Sequence, residues 1–356
     1  MAERVVDWAE VATLARRHRV VGFVSAAIGE AGLSIDPAVQ SRLTVEARRN
    51  TERNLRNLGE EGRIDSALRD AGVEPVFLKG TAFGLRLYGS LSIKTSWDID
   101  VLVDPADVPT ANAVMAALGY RPELPDWIDP AAIDAYSAGQ KDVVWYNADR
   151  ETSVELHRLL TGYASVLPGV GARSPRRMVA AGGARSIATL ADPEHYAYLC
   201  THGALHGWAR LKWLADVDAL IAVSDLGATA LHERASALGA GRASAVALAL
   251  REACFGGAPL GSGDSRLVRH LTRLSARMIA DRGASDDAAF DRPGNTMRQL
   301  WLAIIAGPGW RSAVETGWTL ATRRRWRGQR NLPAPFVAVS TAVIGPLRLI
   351  RQSMGK

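Results

Sequence analysis

Asp98 and Asp100 are separated by a single isoleucine and lead into the branched apolar run Val101-Leu102-Val103. Such a run favours a β-strand, and alternate side chains of a strand share a face, so the two carboxylates project together. Adjacent carboxylates repel each other, and burying them uncompensated is costly. A hard divalent cation, Mg²⁺ or Mn²⁺, removes that cost and bridges readily to the phosphates of a nucleotide. A solvent-facing strand end is the plainer reading of an isolated Asp-x-Asp, so its neighbours in the chain decide its weight. Upstream, Lys79-Gly80-Thr81 follows an apolar run and opens a short helical segment. Gly80 permits close backbone approach there, the free N–H groups of a helix start suit a phosphate, and Lys79 adds a cation. Downstream, Ser153, Glu155 and His157 share one face of a second strand, with Val154 and Leu156 on the other. Glu155 is then either a solvent-side charge or a third metal-facing carboxylate beside the Asp98–Asp100 strand.

The elements that must hold these residues follow from periodicity and breakers. Residues 5 to about 70 read as helical, with Trp8, Val11, Leu14 and Ala15 at helical spacing and a break at Gly32 and Pro37. A long polar helix runs from Asp36 or Pro37 to Ala71, with Leu43, Leu55, Leu58, Ile64 and Leu68 as its apolar positions. Its many Arg and Glu residues read as a solvated face, and no chemistry is assigned to it. Val73 to Leu78 reads as a strand, Ala82 to Tyr88 as a short helix, and Ala106 to Leu118 as a helix ended by Gly119. Asp142–Tyr146 and Ser153–His157 form a hairpin across Asn147-Ala148-Asp149-Arg150.

Further on, Ala172 to Arg185 reads as loop and short helix, where Arg173, Arg176 and Arg177 are a solvated cluster or a phosphate contact. Asp192-Pro193-Glu194 starts a helix with Asp192 as its cap. On the helical stretch beyond, His202, His206, Trp213 and Asp216 fall on one stripe. The two histidines suit a metal pair or a hydrogen-bonded core, and the absence of a Glu directly after His202 excludes the metalloprotease pattern. Trp208 and Trp213 are candidates for stacking a base or for core packing, and Lys212 for a phosphate contact. Ala- and Leu-rich helices occupy 226–280, and 281–295 reads as a linker or loop. The tail joins a basic run, Thr322 to Arg330, to an apolar one, Leu332 to Leu347, whose prolines argue against a spanning helix. It is either a solvated surface or a segment that docks on a membrane surface, RNA or a partner.

Composition narrows the function classes. A chain of 356 residues can bury a sizeable core, and its net charge of +6 suits an anionic substrate. Two cysteines, Cys200 and Cys254, build neither a disulfide scaffold nor a zinc site. The early acidic residues and the lack of a signal-peptide core lead to the expectation of a cytoplasmic protein.

In order along the chain, Leu78-Lys79-Gly80, Tyr88-Gly89, Lys94, Asp98 to Val103, Gly119-Tyr120 and Val154-Glu155-Leu156-His157 resemble the polymerase-β-like nucleotidyltransferase superfamily. Together with His202 to Trp208 and Leu211 to Asp216, they resemble more narrowly a bacterial nucleotidyltransferase family of poorly known substrate, some of whose members lie in lasso-peptide or envelope biosynthesis clusters. The resemblance implies an α+β fold: a small mixed β-sheet core flanked by N-terminal and C-terminal helical regions. The division expected is a helical region at 1–70, a nucleotidyltransferase core at 71–160, a helical domain at 161–280, and a linker with basic and apolar tail at 281–356. Asp98, Asp100 and Glu155 would be catalytic and hold two Mg²⁺ or Mn²⁺ ions. Lys79, Gly80, Thr81, Lys94, His202, His206, Lys212 and Asp216 would meet the nucleotide or its phosphates. Thr81 replaces the usual serine of the turn, and Lys94 replaces the narrower family's usual arginine, keeping the charge but losing the bidentate fork. The implied reaction moves a nucleotidyl group from a nucleoside triphosphate to an acceptor hydroxyl or phosphate on a peptide, small molecule or glycan precursor. Nucleic acid is a less favoured acceptor, and the tail offers a peripheral membrane contact. The alternatives are phosphoryl transfer at the same site, a tRNA-modifying toxin, and an inactive scaffold.

Overall fold

The structure, a computed structural model, describes residues 6–256 apart from 127 and 164, together with 265–281 and 314. Nearly all of the polar stretch expected at 281–295, and the whole basic and apolar tail at 322–351, lie outside the described residues.

Three helices lead the chain: α1 (Trp8–Arg17), α2 (Val21–Glu30) and α3 (Pro37–Asp70). Asp36 caps α3 by accepting the Ala38 and Val39 N–H groups, and Pro37 sits in its first turn, where a missing N–H costs nothing. The chain then alternates strands and helices: β1 (Val76–Phe77), α4 (Thr81–Tyr88), β2 (Ile99–Leu102), α5 (Val108–Ala117), β3 (Arg121–Pro122), α6 (Ile133–Ala138), β4 (Asp142–Asn147), β5 (Thr152–His157), β6 (Arg176–Ala180) and β7 (Ser186–Leu190). Five helices follow among the described residues: α7 (Asp192–Leu205), α8 (Leu211–Val223), α9 (Gly227–Ala237), α10 (Gly241–Phe255) and α11 (Arg266–Ala280).

The strands make one mixed sheet of seven, ordered β3-β4-β5-β2-β1-β7-β6. β2 runs parallel to β5 and β1 parallel to β7, while the other neighbours are antiparallel. One face packs Phe77, Ile99, Val101, Val154 and Leu156 against Ile64 and Leu68 of α3 and Met115 of α5. The other face packs Val76, Leu78 and Leu102 with α4 and the C-terminal helices around Tyr196, Leu199 and Leu214. The fold is therefore mixed α+β with helical flanks, as the sequence led one to expect.

Four local expectations are corrected. β1 is shorter than Val73–Leu78 because the Val73 N–H closes the end of α3 on the Leu68 carbonyl, at 2.9 Å. The stretch from Ala172 to Arg185 holds β6 and the turn into β7, so the sheet continues beyond residue 160. Only Val179 of β6 is buried, which leaves this edge strand without a legible apolar alternation. Asp192 is the first residue of α7, not its cap, and its carboxylate pairs with Arg86 at 2.8 Å and Arg177 at 3.3 Å. The His202–Asp216 stripe lies on two helices, because Gly207 and Trp208 both take positive φ and turn the chain between α7 and α8. Among the described residues no helix is long and apolar enough to cross a membrane.

Candidate active site

Register builds the centre of the site. β2 and β5 pair with Ile99 against Val154, Asp100 against Glu155, Val101 against Leu156 and Leu102 against His157. Buried Ile99, Val101, Val154 and Leu156 fix that register, since a slip of one residue would turn them out of the core. The same alternation leaves Asp100 and Glu155 side by side on the opposite face, with His157 beside them. Asp100 Oδ1 lies 2.9 Å from Lys79 Nζ and 3.1 Å from His157 Nε2, and that nitrogen lies 3.2 Å from Glu155 Oε2.

Electrostatics follow from this packing. Burial opposes charge on Asp100, but Lys79 and His157 outweigh it and hold the carboxyl well below the usual range. Burial, reinforced by Asp100, pushes Asp98 the other way, so the pair is split. His157 is raised: burial works against its proton, while hydrogen bonds to Asp100 and Glu155 favour it. Its Nδ1 faces Asp142 Oδ2 at 3.5 Å, too far to bond, and is buried without a hydrogen-bond partner.

One ligand atom each from Asp100, Glu155 and His157 falls within 4.8 Å of the others. Two carboxylate oxygens and an imidazole nitrogen fit a divalent cation, once His157 gives up its shared proton. This grouping substitutes His157 for Asp98 in the set expected from the sequence. Asp98 instead lines the same cleft, an opening of about 440 Å³ that is large enough for a nucleotide.

Of the residues expected to meet nucleotide or phosphate, Lys79, Gly80, Lys94, His202, His206, Lys212 and Asp216 line this cleft. Thr81 does not line it. Its N–H donates to Glu61 Oε1 of α3 at 2.6 Å, and the Ala82 N–H donates to Glu61 Oε2 at 2.9 Å. A buried carboxylate of the chain itself thus takes two free donors of the α4 start. Gly80 adopts φ 102°, and a Cβ there would come within 2.4 Å of Glu61 Oε1, so the turn needs glycine twice over. Burial pushes Glu61 up to about 7 despite those two hydrogen bonds.

Lys94 and Asp216 form a buried ion pair, and the Tyr88 hydroxyl donates to the other Asp216 oxygen at 2.8 Å. The loop carrying Lys94 is pinned by α3: Asn54 Nδ2 donates to the Leu91 and Lys94 carbonyls, each at 2.6 Å, and Asn57 Nδ2 to the Ser96 carbonyl at 3.3 Å. Lys212, at the start of α8, is lowered to about 7 by burial and then by Arg19 and Lys94. His202 and His206 are kept neutral, chiefly by burial and then by Lys79, with His206 at about 3. Their rings and that of Trp213 form a wall, His206 stacking on Trp213 at 4.9 Å. Trp208 is fully buried in the core instead. Arg173, Arg176 and Arg177 pair with Asp104, Glu74 and Asp192, outside the cleft lining.

Reading by residue type passed over several residues that the fold brings here. His157 shares the face of Glu155 by simple alternation, a signal that was present but given no role. Glu61 and Asn54 sit on α3, where their polar type reads as a solvated face, and Arg19 sits in the turn between α1 and α2; nothing in the chain order marks them. Arg19, Lys141, Asp142 and Arg210 complete the charged lining. A family model described as "Uncharacterised nucleotidyltransferase" matches residues 4–256. No curated protein and no solved structure matches the chain.

Proposed function

The chain belongs to this family of uncharacterised nucleotidyltransferases, and on that premise we propose that it moves a nucleotidyl group from a nucleoside triphosphate to an acceptor hydroxyl or phosphate. The observation that carries the reading is the parallel register setting Asp100 against Glu155, with His157 alongside, in a cleft rich in cations. Asp100, Glu155 and His157, with Asp98 beside them, would hold the one or two Mg²⁺ or Mn²⁺ ions. Bound there, such ions screen phosphate charge and lower the pKa of an acceptor hydroxyl.

The chain's own groups account for the rest. Lys79, Lys94 and Lys212 offset the charge of the triphosphate, and Lys212, poised near 7, gains its proton as the anion arrives. Neutral His202 and His206 with Trp213 give an uncharged aromatic wall for a base. The acceptor oxygen attacks the α-phosphorus in line. A new P–O bond forms as the bond to the α–β bridging oxygen breaks, pyrophosphate leaves with the electron pair, and the hydroxyl proton passes to solvent.

The test is a melting-temperature screen of the four nucleoside triphosphates with and without Mg²⁺ or Mn²⁺, followed by product mass with acceptor mixtures. A metal-dependent shift with one triphosphate, and a product heavier by one nucleotidyl unit, supports the reading. A product heavier by a single phosphate would replace it with phosphoryl transfer.

A further inference from the structure

A second opening of about 300 Å³ adjoins the cleft and shares Arg19 and Thr95 with it as a common wall. Its floor is Trp97, the residue directly before Asp98, whose side chain is 51% exposed although it is one of the largest apolar groups in the chain. The Arg53 guanidinium lies over the Trp97 ring at 3.9 Å and that of Arg19 at 5.6 Å. Glu46, Arg49, Asn50 and Arg53 come from one face of α3 at helical spacing. Asn50 Oδ1 accepts from Arg53 Nη1 at 3.2 Å and aims its fork.

The charge balance of this pocket is one-sided. Four arginines line it against a single acid, Glu46, which already faces Arg16. Burial, then Arg56, disfavours the charge on Arg53, a tension that an incoming anion relieves. Arg19 holds a positive φ of 56°, a conformation costing a non-glycine residue about 1 kcal/mol or more, and this places its guanidinium between the two openings. Arginine forks match phosphate oxygens in pairs, and the ring they cover offers a flat apolar surface beside them.

We propose that the Trp97 pocket is the acceptor subsite of the neighbouring cleft, and that the acceptor is a phosphorylated molecule with a flat apolar portion. The assignment of an acceptor rests on the nucleotidyl-transfer reading; the anion site itself rests on the arginines. Arg49, Arg53 and Arg19 hold the phosphate, Trp97 supports the flat portion, and the reacting oxygen reaches past Thr95 toward Asp98. This gives the N-terminal helices a substrate-binding role.

Phenyl phosphate is the probe, titrated calorimetrically into the full chain with phenol as the uncharged control. Phenyl phosphate is expected to bind and phenol not to. Arg53→Lys, which keeps the charge but loses the fork, and Arg49→Glu, at an exposed position that folding tolerates, should each weaken binding about tenfold or more. The metal-dependent melting shift with nucleoside triphosphate should stay at its wild-type value in both. Binding unchanged in both variants, or phenol bound as tightly as phenyl phosphate, overturns the pocket. Arginine-dependent binding in a protein with no metal-dependent nucleotide shift overturns the acceptor assignment alone and leaves an anion site.

Discussion

Two regions of this molecule bury charged and polar side chains beside the cleft, and they do so by opposite means. On the inner face of α3, Asn54, Asn57, Glu60 and Glu61 are buried and each has partners. Asn54 and Asn57 hold loop carbonyls, Glu61 holds two helix N–H groups, and Glu60 is met by Arg63, Arg150 and the Tyr120 hydroxyl. At β2 and β5, by contrast, Asp98, just before β2, is crowded against Asp100 and Glu155; Lys79 and His157 hold Asp100 charged, while Lys79 only partly offsets the repulsion at Asp98. Satisfied polar groups position a backbone; like charges left in tension await a cation. The same residue types therefore serve as scaffold in one region and as reactive centre in the other.

That contrast can be broken by substitution. The largest effect is expected from Asp98→Asn, which removes a charge already disfavoured by burial. Turnover should fall by about 100-fold or more while the melting temperature barely moves. Near-normal turnover would show that the tension at β2 has no catalytic use. Glu61→Ala should do the reverse. It leaves two buried N–H groups without acceptors and should cost about 3 kcal/mol in urea denaturation.

Glu61 also gives a pH signature. Its carboxyl sits at about 7 in the folded chain, raised by burial from an ordinary 4.5. Between those values the folded state binds the extra proton, so the contribution of Glu61 to stability falls as pH rises from about 5 to about 7. Glu61→Gln should flatten that part of the stability profile; an unchanged slope would assign it to other groups.

Smaller effects come from the loop and from α8. Asn54→Ala frees the Leu91 and Lys94 carbonyls, and should cost about 1–2 kcal/mol with roughly tenfold lower turnover. Loss of stability with turnover untouched would separate α3 from the site. For Lys212, loss of the proton as pH rises through about 7 should raise KM for the triphosphate. Lys212→Arg should keep KM flat there, which a steady-state pH series would reveal.

The strand half of the site was legible because alternation is a short-range rule. Val154 and Leu156 turn inward, so Glu155 turns outward, and the distance from Glu155 to Asp98 in the chain does not weaken that inference. The shared cleft of Lys94, His202, His206, Lys212 and Asp216 was reached through the ordered motif set; spacing alone placed His202, His206, Trp213 and Asp216 on one helix where there are two. The role of α3 was not legible. Asn54, Asn57 and Glu61 share the helical stripe of Ile64 and Leu68, but their polar type reads as solvated surface, while Leu55, expected inside, is 55% exposed. Burying a carboxylate or amide depends on partners contributed by Leu91, Lys94, Ser96 and Thr81, and only the folded chain brings those into reach. The β6 edge strand failed for a plainer reason, since one buried valine makes no pattern.

The most direct test is a titration of Mn²⁺ against the nucleotide-dependent rise in melting temperature, in wild type and in Glu155→Gln. Glu155 is only half buried, so its substitution reports on ligand binding more than on folding. A rise that needs the metal is expected in wild type, with the metal requirement shifted about tenfold or more upward in Glu155→Gln. A nucleotide-dependent rise that needs no metal, or one titrating identically in both proteins, would contradict it.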